Sequence, residues 1–184
     1  IRDSPYCQDN DTSYIDWRLA KKNEKFLEFV KKVIEFRKAH NILHMEKPMQ
    51  LKDYRSLGMP DMSFHSDKTW SLEYDVLRRQ FGVMLYGKYC KIAGKEPEEN
   101  IYMAFNMHWE TKHLGLPTAG KNKEWKQAFC TDEEYSAEIE DGKTKLARTI
   151  KVPPRCVLVL VSEDAPETEK TEIKGYKNHG RKKA

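Results

Sequence analysis

The sequence lacks closely spaced cysteines. Its four cysteines, spread over 184 residues, form no C-x-x-C pair, so neither a thiolate metal cluster nor a dithiol redox motif is predicted. A chain of this length can build a core without disulfide bonds. We therefore predict four free thiols in a reducing, cytoplasmic compartment. They stand at Cys7, Cys90, Cys130 and Cys156.

Long apolar runs are also missing. No stretch approaches the roughly 20 apolar residues of a membrane span, and no secretory signal pattern is visible. We therefore predict no membrane contact for this sequence.

The chain has no strong excess of one charge. Its 33 Lys and Arg against 29 Asp and Glu give a net charge of +4, much of it in the last eight residues, KNHGRKKA. Nucleic-acid binders usually concentrate basic charge on a folded face, so no nucleic-acid partner is predicted. Histidines do not cluster either, because strand alternation would place His108 and His113 on opposite faces. No metal site and no cofactor are therefore predicted.

One long amphipathic helix is predicted over residues 23–40. Phe26, Phe29, Val30 and Val33 recur at helical spacing, and Lys and Glu occupy the other side. An apolar stripe of this kind needs a partner surface. Left uncovered, it could pair the chain with a second copy as a homodimer.

After Pro48 the pattern changes from helical to strand-like. Short runs alternate between apolar and polar residues or are continuously apolar, and turn residues separate them. The fold class predicted is mainly β, an antiparallel β-sandwich preceded by the helix. The alternation over residues 100–110 favours Trp109 as a core residue, and Trp125 is expected to be the most exposed tryptophan. Residues 147–152 and 155–161, separated by Pro153 and Pro154, are predicted to form a terminal hairpin.

Several ordered motifs resemble a known enzyme family. YCQDND at residues 6–11 and IDW at residues 15–17 resemble the segment after the last barrel strands in isoamylase-type glycogen debranching enzymes of the α-amylase superfamily. VIEFRKAH at the end of the helix resembles the closing helix of that family's (β/α)8 barrel. PDMSFH at residues 60–65 and FGVMLYG at residues 81–87 resemble segments of its C-terminal sandwich, with Phe64 in place of a tryptophan.

The resemblance implies a division of the chain into three parts. Residues 1–45 would be a remnant of the last barrel loop and closing helix, residues 46–162 the C-terminal β-sandwich domain, and residues 163–184 a mobile charged tail. The resemblance also implies that the missing catalytic barrel is the main partner. The family's catalytic carboxyl groups lie on earlier barrel strands, so no catalytic residue and no hydrolase activity are expected from this chain alone.

The candidate substrate-binding residues lie in two places. Tyr6, Gln8, Asp9 and Asn10 could line the rim of a glucan cleft, and Trp125 could stack on a sugar ring. The structural alternative is that the acidic and amide side chains fix a loop and cap the turn after it. The FHSD segment at residues 64–67 superficially suggests a catalytic His-Asp pair, but we interpret it as a structural turn.

Two functions are consistent with the sequence. The first is a C-terminal accessory domain of an α-1,6-glucan debranching glycoside hydrolase acting on glycogen or pullulan. The alternative is an independent β-sandwich module that binds α-glucan.

Overall fold

Two helices come first and eight strands follow in the part of the chain that the structure describes. This computed structural model describes residues 9–11, 13–71, 79–94, 96–140 and 148–166. The helices are α1 (Leu19–Lys22) and α2 (Glu24–Ala39), and short 3₁₀ helices span Asn41–His44 and Gly87–Ala93. The strands are β1 (Met62–His65), β2 (Gln80–Leu85), β3 (Ile101–Asn106), β4 (Lys112–Gly115), β5 (Lys123–Cys130), β6 (Ile139–Glu140), β7 (Thr149–Val152) and β8 (Cys156–Asp164).

The strands form two antiparallel sheets. The larger sheet has the order β1-β2-β3-β8-β5 and the smaller sheet has the order β4-β7-β6. The mainly-β antiparallel sandwich predicted from the sequence is therefore confirmed. The helix predicted over residues 23–40 is present as α2.

The core lies between the two sheets. Alternate residues of β3 and β8 point inward, including Tyr102, Leu158 and Leu160, and all three are fully buried. The smaller sheet contributes the equally buried Leu114 and Ile150. Burying each side chain of this size stabilises the fold by about 1.5–3 kcal/mol relative to leaving it exposed.

Polar side chains reach from one sheet to the other and form hydrogen bonds there. The Tyr102 hydroxyl donates to the Gly115 carbonyl at 2.8 Å. The Asn106 amide donates to the carbonyls of Val152 at 3.0 Å and Pro153 at 2.8 Å. Because buried polar groups are costly unless they are paired, these bonds fix how β3 sits over β4 and β7.

The predicted terminal hairpin is wrong. β7 pairs with β4 and β6, whereas β8 pairs with β3 and β5 in the other sheet. Pro153 and Pro154 cannot donate to a ladder, and Arg155 adopts a left-handed backbone with φ of 52°. The short connection therefore carries the chain from one sheet to the other.

The expectation that Trp109 is a core residue is also wrong. Tyr102, Ala104 and Asn106 face the buried inter-sheet space, whereas Met103 and Phe105 lie on the outer face of the larger sheet and are only partly buried. The strand ends at Asn106, so Trp109 is not a core residue and is 58% exposed.

The boundary predicted at residue 45 remains a prediction. Ile42, in the 3₁₀ helix after α2, is 1% exposed and belongs to the sandwich core. Glu98 accepts hydrogen bonds from the backbone N–H groups of Asn41 and Ile42, at 3.0 and 3.1 Å. The helix end is thereby tied to the sandwich. Residues 167–184, most of the expected tail, lie outside the described residues.

Candidate functional site

The described part of the predicted N-terminal site forms a local turn. Tyr6 and Gln8 lie outside the described residues. The Asn10 carbonyl accepts the backbone N–H groups of Ser13 at 3.0 Å and Tyr14 at 3.2 Å. The Asp9 carboxylate accepts the Tyr14 hydroxyl at 2.9 Å. Both Asp9 and Asn10 are exposed, so they remain accessible while they organise the loop.

Trp125 is buried, so the expectation that it would be the most exposed tryptophan is wrong. It is 6% exposed, and its indole N–H donates to the Pro117 carbonyl at 2.6 Å. Its ring lies 6.0 Å from the ring of Tyr102, centroid to centroid. Trp125 of β5 pairs with Ser162 of β8 on the inward face of the larger sheet, and this register explains its burial. A sugar could stack on this ring only if the ring left the core.

An exposed apolar groove separates the N-terminal segment from α2. Its volume is about 650 Å³. Trp17 is 76% exposed, Ile15 67% and Phe26 68%, which are large fractions for residues of this type. We call this surface the N-terminal groove; its lining residues are Tyr14, Ile15, Asp16, Trp17, Leu19, Ala20, Asn23, Phe26, Leu27 and Val30.

The opposite side of α2 packs on the larger sheet through aromatic rings. Phe129 of β5 contacts Phe29 and Phe36 edge-on, with centroid distances of 6.1 and 5.2 Å. His40 continues this side, with its ring 4.1 Å from that of Phe36 and its Nδ1–H donating to the Phe36 carbonyl at 2.8 Å. The predicted stripe is therefore split: Phe29 faces the sheet, and Phe26 faces the groove.

A second cavity lies between residues 45–61 and Tyr89. Its volume is about 250 Å³. Tyr89 is fully buried, and its hydroxyl donates to the Asp53 carboxylate at 2.8 Å, while the same oxygen lies 3.1 Å from the Met59 carbonyl oxygen. The Tyr54 ring lies 5.0 Å from that of Tyr89. We call this space the 45–61 cavity; it is lined by Met45, Glu46, Lys47, Pro48, Met49, Tyr54, Asp61 and Tyr89.

Backbone amides hold the carboxylates near this cavity. Asp61, only 1% exposed, accepts the N–H groups of Gln50 at 2.7 Å, Leu51 at 2.9 Å and Met62 at 2.8 Å. Asp53 accepts the N–H groups of Leu57 and Gly58, and the Leu57 bond contributes most to lowering the pKa of its carboxyl group. These bonds fix the loop that frames the cavity.

The FHSD segment contains a buried histidine. His65 is fully buried, and its Nδ1 accepts the Trp70 N–H at 2.9 Å. The Nε2 atom therefore carries the proton and donates to the Ser63 hydroxyl at 3.0 Å. A histidine that donates to a serine cannot take that serine's proton. Burial lowers the pKa of His65 to about 4, so the ring is neutral at physiological pH.

The described ranges contain neither a metal-binding cluster nor a membrane-spanning helix. Residues 9–11, 13–71, 79–94, 96–140 and 148–166 hold no group of three His, Cys, Asp or Glu side chains placed to bind a metal ion. Over the same ranges no helix has the length and apolar character to cross a membrane. Of the cysteines described, Cys90, Cys130 and Cys156 are free and buried.

Sequence reasoning missed both cavities. The groove depends on how the turn at Trp17 folds against α2, which contains Phe26, and no spacing rule reveals that arrangement. The 45–61 cavity falls in a stretch with no periodicity, although Asp53 four residues before Leu57 is a turn signal that could have drawn attention to it.

The chain is similar in sequence to a group of known proteins. No family model matches the chain. It is 25% identical over 167 residues to proteins described as glycogen operon protein GlgX homologs in Mycobacterium bovis and in two strains of Mycobacterium tuberculosis. The match covers 84% of this chain and 22% of each relative, so the chain spans about a fifth of the length of these relatives. The match agrees with the motif resemblance at the level of the family.

Proposed function

We propose that this chain is the C-terminal accessory region of an α-1,6-glucan debranching glycoside hydrolase, and that it has no hydrolase activity alone. The motif resemblance and the similarity to the GlgX homologs support the family. The accessory role rests on one structural observation, the N-terminal groove. An uncovered apolar groove of about 650 Å³ beside Trp17 and Phe26 is typical of a surface that another part of a protein covers.

The partner in this proposal is the catalytic barrel. The sandwich would support that barrel, with α2 between them: Phe29 and Phe36 hold the helix on the larger sheet, and Phe26 faces outward. Retaining hydrolysis needs two carboxyl groups about 5–5.5 Å apart across the scissile bond. Asp53 and Asp61, the carboxylates near the 45–61 cavity, are instead held by backbone N–H groups as loop anchors.

The release of reducing ends tests the claim of inactivity. The purified chain is incubated with glycogen and with pullulan, and a heat-inactivated sample serves as the control. We expect equal signals from both samples. Hydrolysis above the control by this chain alone would contradict the proposal.

An independent α-glucan-binding module is the second candidate. Trp70, which is 50% exposed, favours it as a ring on which a sugar could stack. Trp109 is more exposed, but its ring is already contacted by His108 at 4.1 Å and by the Arg79 guanidinium at 5.2 Å. Calorimetric titration with a branched maltooligosaccharide distinguishes the two functions. Heat that disappears in Trp70→Ala favours the module, and no heat at millimolar ligand eliminates it.

A further inference from the structure

Two of the buried cysteines lie beside each other where the pairing of β5 with β8 ends. Cys130 is the last residue of β5, and Cys156 is the first residue of β8. Cys130 stands opposite Leu158, which comes two residues after Cys156. Because alternate residues of a strand face the same side, Cys156 and Leu158 both point inward, as Cys130 does. The two cysteines are therefore diagonal neighbours on one face of the sheet.

The two thiols interact with each other in the folded chain. The Cys130 thiol donates a hydrogen bond to the Cys156 sulfur. The Cys156 thiol in turn donates to the Pro154 carbonyl at 3.2 Å. Burial, and to a smaller extent the neighbouring Cys156, raises the pKa of Cys130 to about 11. The Cys130 thiol is thus protonated at neutral pH and is a poor nucleophile as long as the chain is folded.

Burial determines when this pair can react. Cys130 is 4% exposed and Cys156 is 6% exposed, so a reagent in solution does not reach the sulfur atoms of the folded chain. The unfolded chain exposes both thiols, with the ordinary cysteine pKa of about 8.5. A bond between them therefore has to form during folding, when the thiols still react and the strands bring this particular pair together.

The ends of the two strands can accommodate a disulfide. Diagonal neighbours in an antiparallel pair are about 7–8 Å apart at Cα, whereas a disulfide requires about 4.4–6.8 Å. The two backbones must therefore approach each other by on the order of 1 Å. Because Cys130 ends β5 and Cys156 begins β8, this movement leaves the pairing of residues 123–129 with β8 in place.

We propose that Cys130 and Cys156 form an intramolecular disulfide when the chain folds in the presence of a low-molecular-weight disulfide such as oxidised glutathione. One cysteine thiolate displaces a glutathione thiolate and forms a mixed disulfide, and the second cysteine then displaces the other glutathione. The protein thiols lose two protons and two electrons, one S–S bond forms, and one glutathione disulfide becomes two thiols. In a reducing compartment both cysteines stay free. The bond closes the loop of residues 131–155, which contains β6 and β7 of the smaller sheet.

The test is refolding of the chain from urea in a buffer of oxidised and reduced glutathione. The remaining thiols are then alkylated, and the disulfide is located by peptide mass spectrometry. We expect one bond, between the peptides that contain Cys130 and Cys156. Because the bond restricts the unfolded chain, the urea midpoint of unfolding should be about 0.5–1.5 M higher for the oxidised than for the reduced sample.

Two variants make the test specific. Cys156→Ala should abolish the difference in midpoint between the oxidised and the reduced sample. Cys90→Ala is the matched control and should keep that difference, because Cys90 lies in a 3₁₀ helix and its thiol donates to the Glu98 carboxylate at 3.3 Å. Each variant is compared with itself in the two redox states, so a loss of stability caused by the substitution cancels.

Three results would overturn the proposal: alkylation of both Cys130 and Cys156 after refolding with excess oxidised glutathione, a bond that joins either of them to another cysteine instead, or an equal midpoint difference in Cys156→Ala and the unaltered chain. None of them bears on the accessory role, which rests on the N-terminal groove and on the absence of hydrolysis. Reducing-end release by the chain would conversely end the accessory proposal without affecting the disulfide.

Discussion

At the residue scale, His65 couples the fold to pH. Its ring is enclosed by the rings of Trp70 at 5.0 Å and Tyr102 at 5.9 Å, and both of its nitrogens are used in hydrogen bonds as the neutral form. Protonation would add a buried charge and remove the acceptor for the Trp70 N–H. The Trp70 backbone, in a left-handed conformation with φ of 62°, would then lose the bond that holds it.

Stability should therefore fall as the pH drops below about 6.5. The pKa of His65 is about 4 in the folded chain and about 6.5 when unfolded, so in this window the unfolded chain binds the extra proton. Between pH 7.5 and pH 5 the loss from His65 should be about 2 kcal/mol. Urea unfolding of wild type and His65→Gln at both pH values measures it.

The informative quantity is the difference in pH dependence, not the lower stability of the variant. His65→Gln should lose less stability on acidification than wild type. The same substitution at the exposed His113 controls for removing a histidine and should leave the wild-type dependence intact. Equal pH dependence in wild type and His65→Gln would contradict this explanation.

At the element scale, α2 is held by a small aromatic cluster on one side. Phe129 meets both Phe29 and Phe36, and the 3₁₀ helix at the end of α2 is tied down by Glu98. α2 is thus held by aromatic contacts along its length and by hydrogen bonds just beyond its C-terminal end.

Phe129→Ala should loosen the helix. Fully buried Phe→Ala changes cost about 3–5 kcal/mol, and since Phe129 is only partly buried we expect about 1–3 kcal/mol. Phe26→Ala is the matched control, because Phe26 is 68% exposed and its loss should change stability by less than about 0.5 kcal/mol. Urea unfolding of dilute samples measures both, and equal effects would show that the cluster does not hold the helix.

At the scale of the whole molecule, the N-terminal groove should make the isolated chain associate. The large exposed fractions of Trp17 and Phe26 leave apolar surface in water, and a second copy could cover it. We expect a sedimentation coefficient that rises with concentration in the wild type. Phe26→Lys, which places a charge in the groove, should keep the chain monomeric.

The matched control is a charge change away from the groove. Ala128→Lys adds the same charge at an exposed position of β5 and should not affect association. A wild-type chain that stays monomeric up to about 100 μM would show that the groove does not self-associate. The homodimer expectation would then be wrong, while the barrel would remain the proposed partner.

The sequence by itself determined the local elements of this protein. Phe29, Val33 and Phe36 recur at helical spacing, and this spacing indicates α2 whatever surface the helix packs on. Short apolar runs between turn residues likewise indicate strands. The antiparallel sandwich followed from those runs. These features depend on neighbours along the chain, so the printed sequence contains the information that specifies them.

Only the tertiary structure decided which surfaces face each other. β7 and β8 are adjacent in sequence but lie in different sheets, Trp125 is inside and Trp109 outside, and Phe26 and Phe29 of one stripe face different surroundings. The 45–61 cavity likewise forms only where Tyr89 packs against a loop that is distant from it in sequence. The physical reason is that burial is set by long-range strand pairing and packing, which a local pattern of apolar residues permits but does not select.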